Sequence, residues 1–166
     1  MLEGSAYPTE LLIAQTWNKD LAEKVGEAEG AEYADCRIFG TYSPAMNIHR
    51  SAFTGRNFEY YSEDGVLSGM IALNTINGLS TKGVYPYIKH FVMNDQETNR
   101  CTMLLTYSDE QAIREIYLRP FEICVKNMTK LFLEIDSTCG VVLVAVMVIV
   151  LVRFFKKRKK NVAEEE

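Results

Sequence analysis

Apolar residues recur at spacings of three and four at Trp17, Leu21, Val25 and Ala28, which predicts an amphipathic helix from Asn18 to about Asp35. The stretch IFGTYSPAMNI (38–48) predicts a strand that leaves through a proline-containing bend. Ser62 is placed to cap a helix running to Asn77, with Gly78 marking its end. A second apolar strand, VYPYIKHF, is expected at 84–91. Ser108 and Gln111 then form a capping box for DEQAIREIYL, and Pro120 breaks that helix before FEICVKN resumes it. Helix, strand, helix, strand, helix is the rhythm of α/β units around a parallel sheet, whose chemistry sits at the C-terminal ends of the strands.

The pattern changes character at the C-terminus. STCGVVLVAVMVIVLV (137–152) is uncharged throughout, and Arg153, Phe154 and Phe155 lead from it into KKRKK. A bilayer-crossing helix needs roughly 20 apolar residues, with a lower limit near 17. Snorkelling of Arg153 and interfacial seating of the two Phe extend the span to 137–155, a single transmembrane helix. A buried strand or core helix is the alternative, but a segment without a polar face that ends in five consecutive cations fits it poorly. Residues 128–136 then read as a linker and 156–166 as a charged cytoplasmic tail, held inside by the positive-inside rule. The expected location is therefore the membrane, single-pass. MLEGSAYPTE has neither a basic nor an apolar signal-peptide region, so no route for exporting residues 1–136 is visible.

Composition adds limits. With 166 residues, 48% hydrophobic and 24% charged, the chain holds one modest globular domain. Six basic and three acidic residues in 153–166 carry +3 of the total charge of −4, which leaves residues 1–152 at −7. An acidic body speaks against nucleic acid as a partner. Cys36, Cys101, Cys124 and Cys139 show no CxxC pair and no metal-ligand spacing, and no metal or other cofactor is expected. Asn127 opens an NMT glycosylation sequon, which has meaning only in a secretory eukaryotic host.

Two polar clusters follow the predicted strands: Asn47, His49, Arg50 and GRNFEYYSED (55–64) after the first, Lys89 and His90 at the close of the second. A parallel sheet would put both on one rim. Such a rim, with Tyr42, Phe53, Phe58, Tyr60, Tyr61 and Phe91 as flat walls, suits a neutral polyhydroxylated ligand, because each hydroxyl needs a donor and an acceptor. Solvated loops with structural salt bridges account for the same spacing.

GTYSPAMNIHRSAFTGRNFEYYSEDGVLSG, GVYPYIKHFVMNDQETNR and EQAIREIYLRPFEICVK, in this order, resemble glycoside hydrolase family 3, the β-glucosidase family. The opening SAYPTELLIAQTWNKDLAEKVG resembles that family's segment ahead of its first βα units. The resemblance covers about residues 4–127. It implies an α/β fold, an incomplete (β/α)8 TIM-type barrel fragment over 1–127, followed by the transmembrane helix. It also implies retaining removal of β-linked glucosyl or related residues, with a β-linked glucoside or oligosaccharide as ligand. Lys89 and His90 look like the family's adjacent Lys-His pair, which hydrogen-bonds sugar hydroxyls, and Arg56 looks like its sugar-binding arginine. Glu59 would orient Arg56, and residues 94–100 would be supporting loop.

Retaining hydrolysis needs two carboxyls about 5 Å apart, one attacking the anomeric carbon and one protonating the leaving group. By the resemblance, the nucleophilic Asp and the acid/base Glu fall outside this chain, and so does a further sugar-binding Asp ahead of SAYPTE. Asp64-Gly65 stands where Asp-Pro is common in the family. Glu59, Glu63, Asp64, Asp95 and Glu97 are carboxylates by type, but their spacing singles out no catalytic pair, and they read as charged loops and helix starts. Two functions are expected: a membrane-attached glycoside hydrolase fragment that needs the missing barrel from a longer or companion chain, or a non-catalytic membrane protein with a degenerate sugar-contacting rim. A chain with only some barrel strands exposes sheet edges and uncovered apolar faces, so residues 1–127 without the membrane segment are expected to aggregate or to form a loosely packed state.

Overall fold

The computed structural model describes residues 4–128. Helix α1 (Glu10–Gln15) starts at Thr9, whose Oγ1 accepts from the Leu12 N–H at 3.3 Å. Helix α2 (Lys19–Asp35) starts at Asn18, whose Oδ1 accepts from the Leu21 N–H at 3.0 Å. These caps satisfy N–H groups that have no partner inside the helix. The bounds of α2 match the expected ones, but its buried face does not. Ala22, Gly26 and Gly30 point inward, whereas Trp17 is 74% and Leu21 40% exposed. The reason is close helix packing: a Cβ on Gly26 would lie 2.2 Å from the Thr75 carbonyl oxygen, so small residues win the contact face over large apolar ones.

The partner of α2 is α3 (Gly65–Thr81). Asp64 caps α3, its Oδ1 accepting from the N–H groups of Val66 and Leu67 at 2.7 and 2.8 Å. Ser62 takes the step before: its Oγ accepts from the Asp64 N–H at 3.0 Å. Gly78 does not end the helix. It is the second backbone contact with α2, and the true stop is Gly83, at φ +74, where Gly83 N–H bonds to Ser80 O and Val84 N–H to Leu79 O. That pair of bonds is a Schellman closure, which requires the left-handed conformation glycine supplies.

Strands β1 (Gly40–Thr41) and β2 (Tyr85–Pro86) pair in parallel, Gly40 opposite Tyr85 and Thr41 opposite Pro86. The ladder is far shorter than the apolar runs suggest: the N–H groups of Tyr85 and Tyr87 donate to Phe39 O and Thr41 O, and Pro44 then brings no N–H. Past Pro44 the pairing resumes as a bridge between Ala45 and Lys89, with Lys89 N–H to Pro44 O at 3.2 Å and Met46 N–H to Lys89 O at 2.8 Å. A further parallel bridge joins Ile48 to Ser62. A parallel pair joined through a helix is the unit that (β/α)8 barrels repeat.

Beyond the loops, α4 (Glu110–Ala112) is capped by Asp109, not Ser108: Asp109 Oδ1 accepts from the Ala112 N–H at 2.7 Å. Gln111 bonds to Glu115 rather than closing a capping box. The helix widens to a π turn over Ile113–Tyr117, and Pro120 falls in the first turn of helix α5 (119–128), where its missing N–H costs nothing. Helix α5 lies across α3 at Gly69, with Phe121 and Cys124 buried. Among the described residues no helix is long and apolar enough to cross a membrane. The linker, transmembrane helix and tail expected within 128–166 lie outside the described residues, apart from Met128 at the end of α5.

Candidate sugar-binding site

Arg56 and Glu59 sit on a tight turn whose 3₁₀ segment is Asn57–Glu59. The loop ahead of it is knitted to itself: Thr54 Oγ1 bonds Ser51 O and Asn57 Oδ1, and Asn57 Nδ2 donates to Ser51 O. Gly55, at φ +86, bridges to Gln96, and Glu97 N–H reaches Thr54 O at 2.8 Å. Those contacts lay the 94–100 loop against Arg56.

Arg56 is nearly buried, and all three guanidinium nitrogens are hydrogen-bonded. Nε donates to Glu59 Oε1 at 2.7 Å, Nη1 to the Asn94 carbonyl at 3.3 Å and Nη2 to His90 Nε2 at 2.8 Å. Because a guanidinium only donates, His90 Nε2 must be the acceptor and the ring proton resides on Nδ1. Tyr60 Oη donates to Asn94 O at 2.7 Å, so its lone pair is left to accept from His90 Nδ1 at 3.3 Å. Burial, and then the neighbouring Arg56 charge, lower the His90 pKa, which keeps the ring neutral.

Lys89 Nζ donates to Glu59 Oε2 at 3.0 Å, so one carboxylate bridges Arg56 and Lys89. Burial alone would raise the Glu59 pKa, but the hydrogen bonds and charges of Arg56 and Lys89 outweigh it and hold the group below its ordinary value. Lys89 is part-exposed, and the bond to Glu59 uses one of its three N–H donors. Asn47 fixes the backbone beneath: its Nδ2 donates to His90 O at 2.9 Å and its Oδ1 accepts from His90 N–H at 2.7 Å. The Lys89–His90 peptide is cis.

The structure thus gathers Arg56, Lys89 and His90, drawn from two separated segments, into one cluster with Glu59 and Asn47. Other aromatic members of the expected rim are placed differently. Tyr60 is fully buried and joins the cluster by its hydroxyl rather than as a flat wall, and Tyr61 is fully buried in the core. Tyr42, Phe53, Phe58 and Phe91 remain exposed, Phe91 edge-on to Phe121 at 5.4 Å. Among the carboxylates, Asp64 is a helix cap and Glu97 pairs with Arg100 at 3.1 Å. Asp95 is buried, its Oδ2 3.6 Å from Arg50 Nε and without a hydrogen bond, and burial raises its pKa. Glu59, anionic between two cations, is a poor proton donor. The cluster can bind hydroxyls through Lys89 and the Glu59 carboxylate; it does not present an acid and a nucleophile. Sequence reasoning passed over Glu10, whose carboxylate accepts from the Ala45 N–H below Lys89, because a lone Glu before LLIA carries no distinguishing spacing.

A parallel α/β unit with a charged rim at its strand ends matches the face at which (β/α)8 barrels carry their active sites. The profile described as "Glycosyl hydrolase family 3 N terminal domain" matches residues 1–134, and the chain belongs to that family, whose N-terminal domain is a TIM-barrel-like α/β fold. Beta-glucosidase A of Butyrivibrio fibrisolvens is 44% identical over 125 residues, covering 75% of this chain and 15% of that protein. The exo-alpha-(1->6)-L-arabinopyranosidase of Bifidobacterium longum is 38% identical, covering 75% and 16%. Among solved structures, beta-glucosidase 3B of Thermotoga neapolitana in complex with glucose superposes with a TM-score of 0.74 at 51% identity, over 76% of this chain and 18% of that one. The chain therefore spans about 15% of the length of the curated relatives it matches.

Proposed function

We propose that this chain supplies the sugar-holding part of a glycoside hydrolase acting on β-linked glucosides, and that on its own it binds sugar without cleaving it. The observation that carries this reading is the Arg56–Glu59–Lys89–His90 cluster, together with relatives named as beta-glucosidases. Lys89 offers N–H donors and Glu59 an acceptor to neighbouring hydroxyls of one sugar ring, while Arg56 and Asn47 hold His90 in place. The arabinopyranosidase relative marks the sugar at the cleavage point as the part of specificity that varies within this sequence neighbourhood.

Cleavage would require two carboxyls about 5 Å apart that are not tied into ion pairs or caps. The nucleophilic Asp and acid/base Glu belong, by the resemblance, to parts of the enzyme outside these 166 residues, on a longer product or a companion chain. In the purified 166-residue chain, phenyl β-glucoside should show saturation transfer from the protein at millimolar concentration, and Lys89→Met should remove it. Release of p-nitrophenol from its β-glucoside should stay at the buffer rate, because losing the catalytic carboxyls removes several orders of magnitude. Turnover that disappears in Lys89→Met would overturn the inactivity, and wild-type chain without transfer would overturn the site.

We further propose that 137–155 anchors the protein in a membrane with the basic block KKRKK on the cytoplasmic side, a reading supported by hydropathy and charge alone. The protein should stay in the membrane pellet after alkaline carbonate treatment. Its appearance in the supernatant would sink the anchor.

A further inference from the structure

The backbone that carries Lys89 is held from below by a carboxylate. Glu10, in the first turn of α1, directs both carboxylate oxygens at one group: Ala45 N–H lies 3.1 Å from Oε1 and 3.2 Å from Oε2. Ser43 Oγ approaches Oε1 at 3.5 Å. On its other side the same short segment is locked to Lys89, through Lys89 N–H to Pro44 O and Met46 N–H to Lys89 O. The 43–46 backbone is thus clamped between Glu10 and Lys89. No hydrogen bond to this segment comes from β1 or β2 themselves, whose ladder ends at Thr41 and Pro86.

We propose that Glu10 is a positioning residue for Lys89, acting through residues 43–46, and that its ionisation tunes how firmly Lys89 is set for sugar. The second half rests on the reading that Lys89 holds a hydroxyl. Charged and titratable groups face Glu10 from each neighbouring element: Lys89 after β2, Glu59 from the tight turn, Glu29 from α2 and the buried Tyr61 hydroxyl. When ionised, Glu10 offers two acceptors to Ala45 N–H and a countercharge to Lys89. When protonated, one oxygen becomes a donor, the shared acceptance at Ala45 is lost, and the countercharge that Glu10 offers Lys89 disappears. Burial raises the Glu10 pKa to about 8, with Lys89 pulling in the opposite direction, so the change falls in an accessible pH range.

The test uses the ¹⁵N-labelled 166-residue chain in non-ionic detergent, titrated from pH 6 to 9.5. The amide signals of Ala45 and Lys89 should move together with one midpoint near 8. In Glu10→Gln, whose amide oxygen still accepts from Ala45 but does not titrate, both movements should vanish, whereas Glu29→Gln should leave them in place. Affinity for phenyl β-glucoside should rise about threefold between pH 6.5 and 9 in wild type and stay flat in Glu10→Gln. If Ala45 titrates while Lys89 stays still, Glu10 only ties down a loop and the proposal fails, whether or not sugar binds. If both amides titrate and no sugar binds at any pH, the positioning stands and the sugar-site reading is the part that fails. A common midpoint that survives in Glu10→Gln overturns the assignment to Glu10.

Discussion

Gly78→Ala should destabilise the protein by more than about 3 kcal/mol, read as the shift in its urea midpoint. Helix propensity alone gives the opposite sign, since alanine is favoured over glycine inside a helix by about 1 kcal/mol. Packing decides. A Cβ at position 78 would lie 2.1 Å from the Glu23 carbonyl oxygen and 2.6 Å from the Glu27 nitrogen, and both are backbone atoms of α2 that cannot rotate aside. Helix α2 would have to back away, which also opens the reciprocal contact of Gly26 with Thr75. Overpacking of side chains commonly costs 1–3 kcal/mol, and a backbone collision lies at or above the top of that range. Gly83→Ala is the internal comparison: nothing lies within 4 Å there, so only the positive φ is penalised, at about 1 kcal/mol. Equal effects at the two positions would contradict the close-packed helix pair.

The second large effect concerns pH. Burial lifts the Glu10 carboxyl from 4.5 to about 8. Between those values the folded state keeps a proton that the unfolded chain has released, so folding binds protons and stability falls as pH rises. The contribution is complete below about 4.5 and is lost by about 8. At roughly 1.4 kcal/mol per unit it is on the order of 5 kcal/mol. Burial raises Glu29 and Asp95 as well, which steepens the same slope. Glu59 works the other way: held low by Arg56 and Lys89, its stabilisation is lost as pH falls below the ordinary carboxylate range. Urea midpoints at pH 5.5 and 8.5 should therefore differ markedly in wild type, with the acidic sample the more stable. Glu10→Gln should remove most of the difference, and a slope unchanged in that variant would exclude Glu10 as its source.

What could be read from the residues and what could not divides along physical lines. The span of α2 was legible because its limits are set by local chemistry, an Asn cap and a helical period. Its buried face was not, because that depends on how closely α3 approaches, and only glycines at 26 and 78 permit the approach. Gly78 read as a stop for the same reason: a glycine in a helix marks either an end or a contact, and the local sequence does not distinguish them. The strands were overdrawn because apolar runs report burial, whereas ladder length depends on N–H groups, and Pro44 has none to offer. At the site, GRNFE and KH were legible as short motifs. Asn47 stands in the polar cluster after the first strand, but its bonding to His90 across 43 positions, like that of Glu10 to Ala45 across 35, is recorded by no periodicity.

The side-chain clamps on residues 43–47 and 89–90 have a consequence for protein engineering. Regular strand pairing can be grafted because any sequence of suitable propensity reproduces it. The Lys89–His90 segment instead takes its geometry from one amide and one carboxylate that belong to other elements. Transplanting KHF alone into another barrel would deliver the right side chains on a free backbone. The smallest portable module is discontinuous: the α1 turn with Glu10, the 43–47 segment with Asn47, and the pair itself. Under the proposed sugar-holding role, diversification of what the rim contacts is best confined to the exposed Phe53, Phe58 and Phe91, with that module left intact.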